Sequence, residues 1–141
     1  MDRYAILKVI GDGTFGTVVK AQHIASGRPV AIKRMKRRFD TWEECLNLRE
    51  VKALKNLAHP NLVRLFEVIR ENRQLHFIFE YLQINLYQAV KHRRLTRLME
   101  VRDVLQQVLL GLEFMHRSGY AHRDVKPGRP LSNLFYRVYL V

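Results

Sequence analysis

The sequence predicts an α+β fold, a five-stranded antiparallel sheet carrying one helix and followed by an incomplete helical lobe. Three features lead there. Short β-branched and apolar runs separated by turn residues occupy roughly the first eighty positions, one capped helical stretch sits among them, and helical apolar spacing takes over beyond residue 84.

The first two strands come from residues 4–10 and 17–23, joined by the glycine-rich turn Gly11-Asp12-Gly13-Thr14-Phe15-Gly16. Ala25-Ser26-Gly27-Arg28 is a second turn, and Pro29-Val30-Ala31-Ile32-Lys33 reads as a third strand, with proline at the first position, where its missing N–H is tolerated. A helix starts at about Asp40-Thr41, because a capping side chain there is followed by Glu43 and Glu44 in the first turn, and it is expected to run to about Asn56. His59-Pro60-Asn61 breaks the pattern. Residues 62–69 and 75–80 then form two more strands around the polar turn Glu71-Asn72-Arg73-Gln74. A short helix is expected over 85–93. Apolar residues at 101, 104, 105, 108, 109, 112 and 115 keep one helical face, so a long amphipathic helix follows, ending near Ser118-Gly119. The change of character at 81–84 divides a sheet lobe from a helical lobe.

The chain has 141 residues and is 48% hydrophobic, enough for a real core and too apolar for a disordered tail. Its 25 Lys and Arg against 13 Asp and Glu give a formal charge of +12, which suits an anionic partner without choosing one. The clusters at 33–38, 91–94 and 97–102 sit beside element ends and read first as solvated faces. The one cysteine, Cys45, excludes an internal disulfide and a cysteine-rich zinc site, and the six histidines form no ligand cluster. No apolar stretch approaches the roughly 18–20 residues needed to span a bilayer, and Met1-Asp2-Arg3-Tyr4 does not open a signal peptide. The expectation is a soluble, intracellular chain without membrane insertion.

Residues 11–18 fit G-x-G-x-x-G-x-V, in which small residues let backbone N–H groups approach phosphate oxygens. A dinucleotide fingerprint must open a helix, whereas Thr17-Val18-Val19 continue as strand. By itself the segment reads first as a glycine hairpin without a ligand. Val30-Ala31-Ile32-Lys33 is V-A-I-K on a third strand, the context in which that lysine reaches phosphates. Glu50, seventeen residues later and inside the following helix, is placed to pair with Lys33 and fix its direction. His122-Arg123-Asp124 lies past the long helix, on a loop where a carboxylate can accept a proton from a substrate hydroxyl. Each signal alone is ordinary, but the four in this order, each on its expected element, are jointly specific.

Over residues 4–127 the chain resembles the eukaryotic protein kinases, most of all the group containing cyclin-dependent and MAP kinases. The stretches AIKRMKRRFDTWEECLNLREVKALKNL, EVIREN and FIFEYLQINLYQ are similar to the germ cell-associated kinases and their ciliary relatives. The resemblance implies a protein-kinase-like fold, with 1–80 as N-terminal lobe, 81–84 as hinge, 85–127 as the start of the C-terminal lobe and 128–141 as a divergent tail. It also implies an ATP-dependent transferase acting on serine and threonine hydroxyls of proteins. Gly11, Gly13 and Gly16 would line the phosphates, Val18 and Ala31 would cover the adenine, and Phe79 would guard the back of the pocket. The backbones of Glu80 and Leu82 would bond the adenine edge. Lys33 with Glu50 would form the ion pair of an active arrangement, Asp124 would be the catalytic base, and Lys126 would support the transferred phosphoryl group. The setting implied is cytoplasm or nucleus, and the cilium by subfamily, with a scaffold or cyclin-like partner left open.

The departures are equally specific. Where such kinases continue K-P-E-N-L-L, this chain has Lys126-Pro127-Gly128-Arg129-Pro130-Leu131, so a cation stands at the asparagine that holds magnesium in the family, and Asn133 comes four residues too late. No D-F-G, T-x-Y or A-P-E follows, and roughly half of the family's catalytic domain is absent. Magnesium belongs to the family, yet its ligands are missing here, and no metal site is expected. The expectation is therefore a form truncated within the catalytic loop and inactive in phosphoryl transfer, its tail reading as out-of-frame or alternatively spliced sequence. The other reading is an inactive regulatory fragment that binds nucleotide or a partner. A nucleic-acid binder lacks an aromatic platform or finger spacing.

Overall fold

The computed structural model describes residues 1–14, 16–92, 97–123, 125 and 130–131. Asp124, Lys126, Arg129 and residues 132–141 lie outside the described residues, and so does Phe15. The chain forms two compact units, one of Met1–Lys55 with Arg64–Tyr81, the other of Asn56–Val63 with Leu82–Val141.

The first unit is a five-stranded antiparallel sheet in the order β1-β2-β3-β5-β4, built from β1 (Tyr4–Asp12), β2 (Gly16–His23), β3 (Pro29–Arg38), β4 (Leu65–Glu71) and β5 (Gln74–Glu80). Neighbours in sequence pair through tight turns, except that β3 meets β5 after an excursion through helices. The β4–β5 turn has Asn72 and Arg73 at φ 50° and 62°, the paired left-handed residues of a two-residue hairpin whose twist matches its strands. Gly27, at φ 68°, serves the β2–β3 turn.

Side chains alternate between faces along a strand, so the register fixes which residues share a side. One face carries Val19, Ala21, Val30, Ile32 and Ile78, a fully buried cluster against which Met1, Tyr4, Phe66 and Ile69 pack. The Tyr4 hydroxyl donates to Glu67, and burial followed by that carboxylate pushes the Tyr4 phenol up to about 12. The folded chain therefore holds this proton more tightly than the unfolded one. Its contribution to stability is whole below 10.0, the ordinary phenol value, and is lost as pH rises through about 12. In an alkaline absorbance titration a phenol phase is expected at about 12, and Tyr4→Phe is expected to remove it.

The same face holds His76, which is 4% exposed, faces Arg34 across β3 and Ile69 across β4, and has no hydrogen-bond partner at Nδ1. Burial, and then the Arg34 guanidinium, press its pKa below the ordinary 6.5. A depressed histidine leaves stability intact above its unfolded value and withdraws it as pH falls through the folded one. Urea denaturation is expected to show the fold weakening as pH drops from about 7.5 to about 5, and His76→Phe to flatten that slope.

The helix expected from about 40 to 56 is two helices, α1 (Trp42–Asn47) and α2 (Arg49–Asn56). Thr41 caps α1 by accepting from the Glu44 N–H at 3.2 Å, as its sequence signal indicated. Leu48 is extended at φ −61° and ψ 131°, and its carbonyl accepts from the Lys52 N–H at 3.0 Å to restart the helix. The break has a geometric reason. Cys45, Val51 and Leu54 are all buried, yet nine residues of unbroken helix at about 100° each would place Cys45 and Leu54 on opposite sides. Re-phasing at Leu48 lets both point inward.

In the second unit β6 (Ile84–Asn85) pairs antiparallel with β7 (Pro130–Leu131), and two helices follow β6, α3 (Leu86–Lys91) and α4 (Leu98–Arg117). The short β6–β7 pair is not legible in the sequence. The α4 helix ends as expected, with Ser118 as cap and Gly119 at φ 81°. Its buried residues are Val104, Gly111 and Met115, while His59 stacks on Phe114 at 4.8 Å and the Asn61 amide donates to Gln107 at 3.4 Å. Of the apolar face read from the sequence, Val101, Leu105 and Leu109 are exposed, as are Leu98, Met99 and Leu110. No helix among the described residues is long and apolar enough to cross a membrane.

Candidate functional site

The sheet face opposite the Val19–Ile32 cluster gathers the residues singled out by motif. Register pairs Gly11 with Val18, Val18 with Lys33, Lys33 with Phe77 and Ala31 with Phe79, which places all six on one side. At its centre Lys33, only 5% exposed, points its ammonium at Glu50 in the first turn of α2, with Nζ to Oε1 at 2.7 Å. The Lys33 ammonium also lies 5.9 Å from the Phe77 ring centre, and Phe77 stacks on Phe79 at 6.1 Å.

A buried ammonium needs partners, since desolvation favours losing its charge. Glu50 supplies one hydrogen bond, and a Lys head has three donors. Among the described residues its other donors have no hydrogen-bond acceptor, and Ala31 and Val18 share its sheet face. That is a suitable place for an anionic group whose body is apolar.

The glycine-rich hairpin divides its labour in a way the motif does not express. Gly11 follows a β-bulge between Val9 and Gly11, and a Cβ there would meet Val18 at 3.8 Å, an ordinary contact. Gly13 donates its N–H to the Gly16 carbonyl at 3.0 Å, and a Cβ on it would find that oxygen at a comfortable 3.9 Å. Gly16 differs, because a Cβ there would overlap the Arg34 carbonyl oxygen of β3. Its glycine is demanded by strand packing, whatever else approaches it.

Two features of this hairpin and its neighbourhood escape sequence reasoning. Asp12 accepts from the Thr17 hydroxyl at 2.8 Å and lies 3.2 Å from the Lys36 ammonium, and these two partners, Thr17 foremost, hold its carboxyl below the usual range. Phe77, the aromatic neighbour of the buried lysine, is the other. The signal for it is the alternation in Phe77-Ile78-Phe79, which sends the first and third residues to one face.

Glu80 ends β5 opposite Val30, on the other face from Lys33. Its N–H donates to the Arg64 carbonyl at 3.0 Å, and its carboxylate accepts from the Arg64 N–H at 2.8 Å. Leu82 is buried and belongs to the second unit. The two remaining residues of the expected set, Asp124 and Lys126, lie outside the described residues.

Comparison with known proteins adds an independent line. The family model described as protein kinase domain matches residues 4–137. The chain is 54% identical over 128 residues to the serine/threonine-protein kinase ICK of Rattus norvegicus, covering 90% of this chain and 20% of the relative. It is 52% identical over 128 residues to the serine/threonine-protein kinase MAK of Homo sapiens, with 90% and 20% covered, and 49% identical to cyclin-dependent kinase F-3 of Oryza sativa subsp. japonica, with 90% and 30% covered. The chain thus spans between a fifth and under a third of the length of these relatives.

Proposed function

Because the chain belongs to the protein kinase family, we propose that its first unit binds ATP and that the activity it belongs to is phosphoryl transfer to serine and threonine hydroxyls of proteins. The observation that carries this is the buried Lys33–Glu50 pair at 2.7 Å, set on one sheet face with Val18, Ala31 and Phe79. In this reading Lys33 holds a phosphate oxygen and Glu50 keeps the ammonium from swinging away. Val18, Ala31 and Phe79 offer the base an apolar surface. The Glu80 and Leu82 backbones, and Gly11, Gly13 and Gly16, are assigned by resemblance to the adenine edge and the phosphates, and Asp124 to the proton of the attacking hydroxyl with Lys126 beside it.

The bound nucleotide supplies the transferred phosphoryl group. The residues fit it, since Lys33 is a buried cation that makes one hydrogen bond among the described residues and carries three donors. They do not fit magnesium as the family holds it, because Arg129 stands five residues after Asp124, where the family has an amide ligand. Loss of one preorganised stabilising group of this kind typically costs about 3–4 kcal/mol, or roughly 100- to 1000-fold in rate. We therefore propose that this chain binds nucleotide without turning it over, which also describes a regulatory nucleotide-binding module. Purified chain assayed with Mg-ATP and a protein substrate is expected to match an Asp124→Ala control. Turnover above that control refutes the inactive reading, and failure to bind ATP at all refutes the nucleotide assignment.

A further inference from the structure

On the sheet face away from Lys33, a cavity of about 220 Å³ opens between the start of β1, the β2–β3 turn and the start of β4, with Val30 at its base. Around it stand Arg3, Tyr4, His23, Arg28, Phe66 and Glu67. Its walls are fixed. The His23 N–H donates to the Arg28 carbonyl at 2.9 Å, the Gly27 N–H to the His23 carbonyl at 2.8 Å, and the His23 ring nitrogen meets the Ser26 hydroxyl at 2.8 Å. The Ile24 N–H ties this turn to the Arg3 carbonyl at 2.9 Å.

The charges do not balance. Glu67 is the carboxylate of the cleft, and its oxygens already accept from the Tyr4 hydroxyl and, at 2.9 Å, from Arg3. Two further guanidinium groups lie against the Phe66 ring, Arg28 at 4.6 Å and Arg64 at 5.6 Å from its centre. Among the described residues Arg28 has no carboxylate partner. A guanidinium over a ring face and without a carboxylate partner has N–H donors to offer an oxyanion.

We propose that this cleft binds an acidic side chain presented by a protein partner, with the carboxylate or phosphate on Arg28 and the apolar body against Phe66. The volume points to one side chain, since sites for whole small molecules run to about 300–1,000 Å³. The cleft lies on the opposite sheet face from Lys33, so the proposal is independent of nucleotide binding.

Titration of the full chain with phenyl phosphate, phenylacetate and inorganic phosphate, followed by backbone amide NMR shifts, tests it. Saturable shifts are expected at residues 23, 28 and 66 with at least one of the two aromatic anions, and the tighter of the two identifies phosphate or carboxylate as the acidic group. Arg28→Glu is expected to weaken that binding roughly tenfold or more, and Arg28→Gln to weaken it less. Arg38→Glu, an exposed charge reversal elsewhere on the unit, is expected to leave it within about twofold. The proposal fails if inorganic phosphate binds as well as the aromatic anions, if Arg38→Glu costs as much as Arg28→Glu, or if the shifts fall at 11–16 instead.

Discussion

Replacing Lys33 with methionine is expected to weaken ATP binding by about 10- to 150-fold while leaving the first unit folded. The size follows from the chemistry of one contact. A hydrogen bond to a charged group contributes about 1.5–3 kcal/mol, and each 1.4 kcal/mol is a factor of about ten. Methionine nearly matches the length of the lysine stem, so packing against Phe77 survives. What disappears is the ammonium.

The stability change should be smaller than the substitution's burial suggests. Breaking one side of a fully buried ion pair costs about 3–5 kcal/mol, because a charge is left stranded. Here the Lys33 side chain is 7% exposed but Glu50 is 27% exposed, so the carboxylate left behind can hydrate. Isothermal titration with magnesium-free ATP, alongside urea denaturation, separates the two effects. Glu50→Gln provides the contrast, since it keeps the lysine and removes only its anchor, and a loss smaller than that of Lys33→Met is expected. If Lys33→Met binds ATP like the parent chain, the lysine is a structural ion-pair partner and the nucleotide assignment falls.

The Lys33–Glu50 pair is legible in the sequence because it rests on short-range rules. V-A-I-K lies on a strand whose alternation is visible, and a helix seventeen residues on brings Glu50 back over the same face. The division of faces is legible for the same reason, as every residue from Val30 to Lys33 takes its side from its parity. What is hidden depends on distant partners. The split at Leu48 leaves no glycine or proline as a marker, since it arises from the need to bury Cys45 and Leu54 together. The buried state of His76 comes from its place between Arg34 and Ile69 on two other strands. The β6–β7 pairing joins residues 84–85 to 130–131, too far apart for any local pattern to announce.

The glycine-rich hairpin shows the same limit more sharply, and it yields a second large expected effect. The motif treats Gly11, Gly13 and Gly16 as equivalent cradles for phosphate, but only Gly16 is pressed against another strand's backbone. Overpacking typically costs about 1–3 kcal/mol when side chains can shift, and a β3 carbonyl within the β2–β3 ladder has little freedom to do so. Gly16→Ala is therefore expected to destabilise the unliganded chain by about 3 kcal/mol, a fall of roughly 12–24 °C in Tm for a unit of this size.

Gly13→Ala should behave oppositely. Its φ lies outside the left-handed range, and the added Cβ meets nothing closer than 3.9 Å, so stability is expected to hold or to rise by up to about 1 kcal/mol through a less disordered unfolded chain. If Gly13 also lets phosphate approach, the same substitution weakens ATP binding without weakening the fold. Thermal melts with and without ATP read both quantities. Equal destabilisation by the two alanines would show that the hairpin's glycines serve packing throughout. Loss of ATP-induced stabilisation in Gly13→Ala alone would assign that glycine to the ligand and Gly16 to the sheet.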